Sequence, residues 1–278
     1  MSTEPRRIGE KARSDPRLVF TSLYHHVCDM EHLRACFGAL PADRAVGIDG
    51  ITKEQYGEHL DENLRKLSER LRNMGYRPRA KRRTYIPKPG SAKGRPLAIS
   101  CFEDKLVELA LKRVLEPIYE VQFEDSSYGY RPGRSQHQCL DDLGRTLQQR
   151  RVNHVVEADI RSFFNTVDHD WMLTFLRHRI GDPRIIRLIG RLLKGGILED
   201  GLVQASEEGT PQGSILIIAA VQHLSALRAG PLVQPPGAAT EQRRGLLLPL
   251  RRRLCRRLPA PAGRSTIPRG PRRAIAAI

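Results

Sequence analysis

Asp159 closes a run of buried-strand type, Val152 to Ala158, and two aromatic residues, Phe163 and Phe164, follow it closely. A carboxylate at the end of a buried strand is costly unless it is paired or bound to a metal. Magnesium takes oxygen ligands from one or two carboxylates together with substrate phosphates. In nucleotidyl transfer, two such ions activate a primer hydroxyl and stabilise the leaving oxygen. The plainer alternative is an aspartate that caps the next turn. Phe164 lies five residues beyond Asp159, where a bulky ring can fill the space a 2′-hydroxyl would need; the alternative there, and the favoured one for Phe163, is a core aromatic. Further on, Gly209-Thr210-Pro211-Gln212-Gly213-Ser214 forms a glycine-bounded turn with one amide side chain. Gly213 lets the backbone approach a ligand closely, so Gln212 can set its amide beside a nucleotide.

Cations stand upstream of these residues. Arg77 to Arg95 holds eight Lys or Arg residues and no acid. Lys88, Lys93 and Arg95 sit in the loop-like stretch Pro87-Lys88-Pro89-Gly90-Ser91-Ala92-Lys93-Gly94 and just after it. A Gly/Pro-rich hairpin of this kind wraps phosphates with side-chain cations and backbone N–H groups. Arg95 is the best triphosphate ligand in it. Arg77, Arg79, Lys81, Arg82 and Arg83 suit contacts to a template backbone, with a solvated charge run as the alternative. The segment Ser127-Tyr128-Gly129-Tyr130-Arg131-Pro132-Gly133-Arg134-Ser135 mixes aromatics, arginines and glycines, and can lie along a nucleic-acid strand by stacking and phosphate contacts.

The elements that must position these residues follow from pattern. Residues 1–20 are polar and basic and read as flexible, and residues 18–40 show weak helical periodicity. Gly47-Ile48-Asp49-Gly50 reads as a turn. Thr52 and Gln55 have capping-box spacing before a helix that reaches Met74, with Gly75 as its stop. Two short strands carry Tyr85-Ile86 and Leu97 to Ile99. Ser100 and Glu103 form a second capping pattern, before a helix faced by Leu106, Leu109, Ala110 and Val114 that Pro117 should kink or stop. Asp170 is placed to cap a helix over 171–180, and Asp182-Pro183 to open the next, which Gly195-Gly196 ends. Ile197-Leu198 and Leu202-Val203 about Asp200-Gly201 read as a hairpin.

Composition narrows the partners. The 278 residues carry a net charge of +16 with a pI near 10.2, which favours a polyanion. No basic amphipathic helix or long apolar run points to a membrane. Cys28, Cys36, Cys101, Cys139 and Cys255 are scattered without zinc spacing, which fits a reducing cytoplasm. Beyond Ile215 the chain changes. Residues 216–278 hold twelve Arg, one acid (Glu241) and no Lys, and so carry eleven of the sixteen net charges. Frequent Pro and the lack of periodicity read as an irregular or disordered tail.

Taken in order, six segments resemble the reverse transcriptases encoded by bacterial group II introns: Gly47 to Gly50; Tyr85 to Lys88 with Gly94 to Leu97; Leu115 to Glu120; Ser127 to Ser135; Glu157 to His169; and Gly209 to Ser214. The resemblance implies an α+β fold with the fingers and partial palm of a right-hand polymerase over residues 21–215. The flexible segment 1–20 and the tail 216–278 flank it. It implies magnesium-dependent DNA synthesis on an RNA template from a DNA primer and dNTPs, with maturase assistance to splicing of intron RNA. Carried over, Asp159 is the first metal-binding and catalytic aspartate and Phe164 the steric gate. Lys88 and Arg95 hold the triphosphate, and Gln212 lines the nucleotide pocket. Arg131 contacts template or supports the pocket, joined in nucleic-acid binding by Arg79, Arg82, Arg83 and Arg134. Asp168 and His169 match the pattern in a structural role.

The chain departs from that pattern after Ser214. The family continues with an apolar helix and a hairpin bearing a Tyr-Ala-Asp-Asp box, whose aspartates complete the metal site. No Asp follows Asp200 here. An Arg/Pro-rich tail without lysine reads as a GC-rich gene out of frame, with a frameshift near codon 215. The expectation is a polymerase fragment without activity. The rival expectations are an RNA-binding, maturase-like remnant and a non-functional translation product.

Overall fold

The computed structural model describes residues 3–88, 91–150, 152–159, 167–204, 209, 246–250 and 253–258. In chain order its elements are α1 (Thr3–Ser14), α2 (Tyr24–Val27), α3 (Met30–Ala39), α4 (Lys53–Glu58), α5 (Leu60–Arg72), β1 (Lys81–Lys88), β2 (Ser91–Ile99), α6 (Phe102–Glu120), α7 (Gln136–Gln149), β3 (His154–Asp159), α8 (His169–Leu176), α9 (Pro183–Leu193), β4 (Ile197–Glu199), β5 (Leu202–Gln204), β6 (Leu246–Leu250) and β7 (Arg253–Leu258). They fall into two units, residues 1–122 with 163–221, and residues 123–162 with 222–278.

The first unit is organised on α6. Leu106, Ala110, Val114 and Ile118 recur at helical spacing and are fully buried, and Val107, Leu111 and Leu115 widen the stripe. α1, α2 and α3 all pack on it. Pro117 does not stop the helix, which runs on to Glu120. Pro117 instead meets α1, where a Cβ on Gly9 would come within 3.3 Å of the proline Cβ. Residues 3–14 are therefore not the flexible segment that their polarity implied. Ile8 and Ala12, one turn apart, are buried, and the charged face carries the exposed Arg6–Glu10 pair.

Both halves of the Thr52–Gln55 capping box form: Gln55 N–H donates to the Thr52 hydroxyl at 3.2 Å, and Thr52 N–H to Gln55 Oε1 at 2.9 Å. The helix expected from there to Met74 is two helices, broken at His59. α5 ends with Gly75 N–H on Arg70 O at 2.8 Å and Met74 N–H on Leu71 O at 2.9 Å. That pair of bonds satisfies the terminal carbonyls. Met74, at φ +54°, takes the left-handed position expected of Gly75.

β1 and β2 form the expected hairpin, with Ile86 opposite Arg95 and an irregularity at Pro87, which has no N–H for the ladder. β4 adds parallel to β1, Lys81 opposite Ile197, and β5 closes an order β2-β1-β4-β5. Asp200 and Gly201, at φ +50° and +80°, make the tight β4–β5 turn that the sequence announces.

A buried polar network joins this sheet to α6. Lys81 is 1% exposed and Glu108 0%, and Lys81 Nζ donates to Glu108 Oε1 at 3.0 Å. The Ser100 hydroxyl donates to the same oxygen at 3.1 Å. One turn earlier on α6, Asp104 accepts from the Tyr76 hydroxyl and, at 3.1 Å, from Arg79 N–H. Lys81 is thus a core cation, not the template contact its place in a basic run implied. The Ser100–Glu103 capping box does not form, because Ser100 serves Glu108 and Glu103 binds Arg70; Cys101 stands at the N-cap. α8 begins two residues earlier than expected, capped by Asp168 rather than Asp170, since Asp168 accepts Trp171 N–H at 2.6 Å. Asp182 caps α9 and also accepts Leu23 and Tyr24 N–H, both at 2.9 Å. Burial alone would raise its pKa, but these hydrogen bonds hold it below the usual carboxylate range.

The second unit holds α7 and a small cluster of Tyr128, Cys139 and Leu143. Its sheet has the order β3-β7-β6, with His154 opposite Leu258 and Asp159 opposite Arg253. Two short segments beyond residue 216, Leu246–Leu250 and Arg253–Leu258, are strands of this sheet. The edge of β3 offers unpaired N–H and C=O groups, and pairing them is the physical reason. Residues 216–245, 251–252 and 259–278 lie outside the described residues.

Two outcomes are expected from the network. Glu108→Ala leaves the Lys81 ammonium buried without its partner and costs about 3–5 kcal/mol in urea unfolding. Burial raises the Asp104 carboxyl to about 6. Its ionised form is thus disfavoured in the folded chain. Relative to Asp104→Asn, wild-type stability is highest below the unfolded value near 3.8 and declines as pH climbs towards 6. Urea midpoints of both proteins from pH 3.5 to 7 check the sign.

Candidate functional site

The β1–β2 hairpin sorts its cations by function. Arg82 donates from Nε and Nη2 to Val46 O at 3.1 and 2.8 Å, holding the loop before Gly47. Arg83 Nε lies 3.4 Å from Glu199 Oε2 on β4, and the Tyr85 hydroxyl donates to the same carboxylate. The Tyr85 hydrogen bond, followed by the nearby Arg83 charge, holds Glu199 below its usual pKa. Of the three arginines here assigned to nucleic acid, Arg82 and Arg83 thus have internal partners. Arg79 is largely exposed, with Asp49 at 3.7 Å. Arg95 is exposed opposite Ile86, and Lys88 stands at the end of β1 opposite Ser91. The hairpin's charge towards solvent is carried by fewer residues than its composition implies.

The arginine-aromatic loop in the second unit is fastened from within. Arg131 Nη1 donates to Glu124 O at 2.9 Å and Ser127 O at 2.8 Å, and the guanidinium lies 4.8 Å from the centre of the Phe123 ring. Arg134 sits 5.6 Å from the Tyr128 ring centre and 3.5 Å from Asp125. Tyr128 is buried, with its hydroxyl on Asp142, and burial with that neighbour pushes its pKa up to about 12. Tyr130 is the aromatic that remains exposed, held at φ +57°. Ser135 and Gln138 form a capping box at the start of α7, a signal that the S-x-x-Q spacing carries in the sequence.

Asp159 is placed by its backbone as the last residue of β3. Phe163, Phe164 and Gln212 lie outside the described residues. What is described is a clasp between the two motifs that bear them. Val167 and His169 end the first, and Gly209 begins the second. Gly209 N–H donates to Val167 O at 2.8 Å, and His169 Nε2 lies 2.6 Å from Gly209 O. A carbonyl oxygen only accepts, so the proton sits on Nε2. His169 and Gly209 are both buried, and Gly209 takes φ +78°, which a side chain would resist. Asp168 and His169 are therefore structural, as expected. Among the described residues, no group of three His, Cys, Asp or Glu side chains could hold a metal. No helix among the described residues is long and apolar enough to cross a membrane.

Comparison with known proteins identifies the pattern. Residues 86–222 match the family described as reverse transcriptase (RNA-dependent DNA polymerase). Over 210 residues the chain is 34% identical to the group II intron-encoded protein LtrA of Lactococcus lactis subsp. cremoris, covering 76% of this chain and 35% of that protein. Over 226 residues it is 33% identical to protein YkfC of Escherichia coli (strain K12), covering 78% of this chain and 58% of that protein. The chain thus spans about a third of the first relative and somewhat over half of the second. A solved chain from a Cas6-RT-Cas1–Cas2 complex shares the fold, with a TM-score of 0.53 and 19% identity over 86% of this chain and 38% of that one.

The clasp makes a stability prediction. His169→Ala leaves the Gly209 carbonyl buried without a donor and costs about 1–3 kcal/mol. Asp168→Ala removes a helix cap and costs about 1 kcal/mol. Thermal unfolding of the two variants should rank them in that order.

Proposed function

We propose, from the premise that this chain carries a reverse transcriptase domain homologous to those of group II intron-encoded proteins, that it is the fingers and first palm portion of an RNA-directed DNA polymerase and does not polymerise by itself. The clasp at Gly209 is the observation that supports this best. It holds Val167 and His169, at the end of the Asp159-bearing motif, against Gly209, at the start of the Gln212-bearing motif, so the two motifs of the family pattern meet in the fold. In this reading Asp159 is a magnesium ligand, and Lys88 and Arg95 take the triphosphate. Phe164 excludes the 2′-hydroxyl and Gln212 borders the base or sugar. Arg79, Arg131 and Arg134 face nucleic acid, with Arg82 and Arg83 holding the surfaces that do so. The partners are intron RNA, an RNA template with its DNA primer, and dNTPs, in the cytoplasm.

Magnesium supplies the activated hydroxyl and the charge neutralisation of this reaction class when its full ligand set is present. These 278 residues contain no aspartate after Asp200, so Asp159 has no palm partner among them. No catalytic step is therefore assigned to the chain alone. RNA binding without catalysis is the second reading, and the net charge of +16 favours it.

The decisive assay is extension of a DNA primer on an RNA template by the purified chain with magnesium and dNTPs. No extension above background is expected. Extension that Asp159→Ala abolishes would overturn the claim of inactivity and leave the polymerase reading in place.

A further inference from the structure

α9 divides into two faces of opposite character. All six of its isoleucines and leucines are buried. After Pro183, the other positions are Arg184, Arg187, Gly190 and Arg191. The three arginines are spaced by three and four residues, about 4.5 and 6 Å along the axis, and so form one stripe. Lys194, exposed at the C-cap, extends it.

A cation from another element joins the stripe. Arg77, exposed just past α5, donates from Nη1 to Met74 O at 3.3 Å and Tyr76 O at 3.2 Å. Arg191 donates from its own Nη1 to the same two oxygens, at 2.7 and 3.0 Å. Two guanidinium groups are thus gathered on one pair of carbonyls, and neither forms an ion pair among the described residues. Each has further N–H donors on its planar fork. Arg187 is exposed and makes no ion pair among the described residues. Asp182 is the acid at this helix, and it is buried at the N-cap beside Arg184. Burial, then the nearness of Arg77 and Arg187, pushes the Arg191 pKa below the ordinary arginine value, as expected of cations crowded without an anion.

We propose that this stripe is a binding surface for the phosphate backbone of RNA, with Arg77 and Arg191 together holding one phosphate and Arg187 a neighbouring one. The partner class rests on the functional reading above; the location does not. Planar guanidinium donors match phosphate oxygens in pairs. An amphipathic membrane helix presents its apolar face to lipid, whereas α9 buries all of its isoleucines and leucines in the protein. The cations were invisible as a group in the sequence, because Arg77 and Arg191 stand 114 positions apart.

The test uses the full chain and a labelled 40-nucleotide RNA hairpin, with binding followed by fluorescence anisotropy from 50 to 300 mM KCl. Arg77→Gln and Arg187→Gln are compared with Arg6→Gln, an exposed arginine on α1. Each of the first two should weaken binding and reduce the salt slope by about one, and the double variant by about two. Arg6→Gln should leave both unchanged, and Arg187→Gln should melt at the wild-type temperature. A salt-dependent wild type with an unchanged double variant would overturn this surface while sparing the functional reading. A wild type with no salt-dependent RNA binding would overturn both. Loss of binding to phosphatidylserine vesicles in the double variant, with RNA binding intact, would assign the stripe to lipid and refute the proposal.

Discussion

The pair of Lys81 and Glu108 is the constraint on which the first unit depends. Both groups are out of water, and the desolvation of two charges is repaid only when their geometry is close and their remaining donors and acceptors are met. Ser100 meets part of that need from the end of β2, so one carboxylate on α6 fixes both strands of the hairpin. Asp104, a turn away, fixes the chain leading into β1 through Tyr76 and Arg79. Because β4 then pairs with β1 at Lys81 and Arg82, the register of the whole four-stranded sheet is referred to this helix. Breaking the pair by removing one partner would leave the other charge buried and uncompensated.

The same economy governs the arginines. A basic sequence invites the view that every cation faces a polyanion. Here Arg82, Arg131 and Arg191 donate to backbone carbonyls, Arg83 meets a carboxylate, and Lys81 is internal. Guanidinium groups serve this purpose well because one planar fork reaches two acceptors at once. A structural role does not end the availability of an arginine, since its planar fork carries five N–H donors and one or two acceptors do not use them all. Arg77 and Arg191 show how a carbonyl pair can fix the position of two cations and leave their charge for a ligand.

On the palm side, the clasp at Gly209 turns two distant motifs into neighbours through two hydrogen bonds. One is donated by the Gly209 N–H to a backbone carbonyl and the other by a buried histidine committed to a single tautomer, so neither depends on an exposed side chain. The clasp fixes Val167, His169 and Gly209 against one another within the first unit.

Local signals were legible because they depend on neighbours in the chain. The Thr52–Gln55 box, the Asp182-Pro183 start of α9, the Asp200-Gly201 turn and the β1–β2 hairpin all stand as the sequence reads. Errors of one or two residues arose where two local candidates competed, as Asp168 with Asp170 and Met74 with Gly75. The ordered motifs also carried the family, because six matches in sequence are far more specific than any one. The fate of individual side chains was not legible. Whether Lys81 meets solvent or Glu108, whether Pro117 ends a helix or packs on Gly9, and whether Arg77 finds Arg191 are decided by contacts between residues far apart in the chain. Charge and polarity are properties of a residue, but burial is a property of its surroundings, and only tertiary packing sets the surroundings.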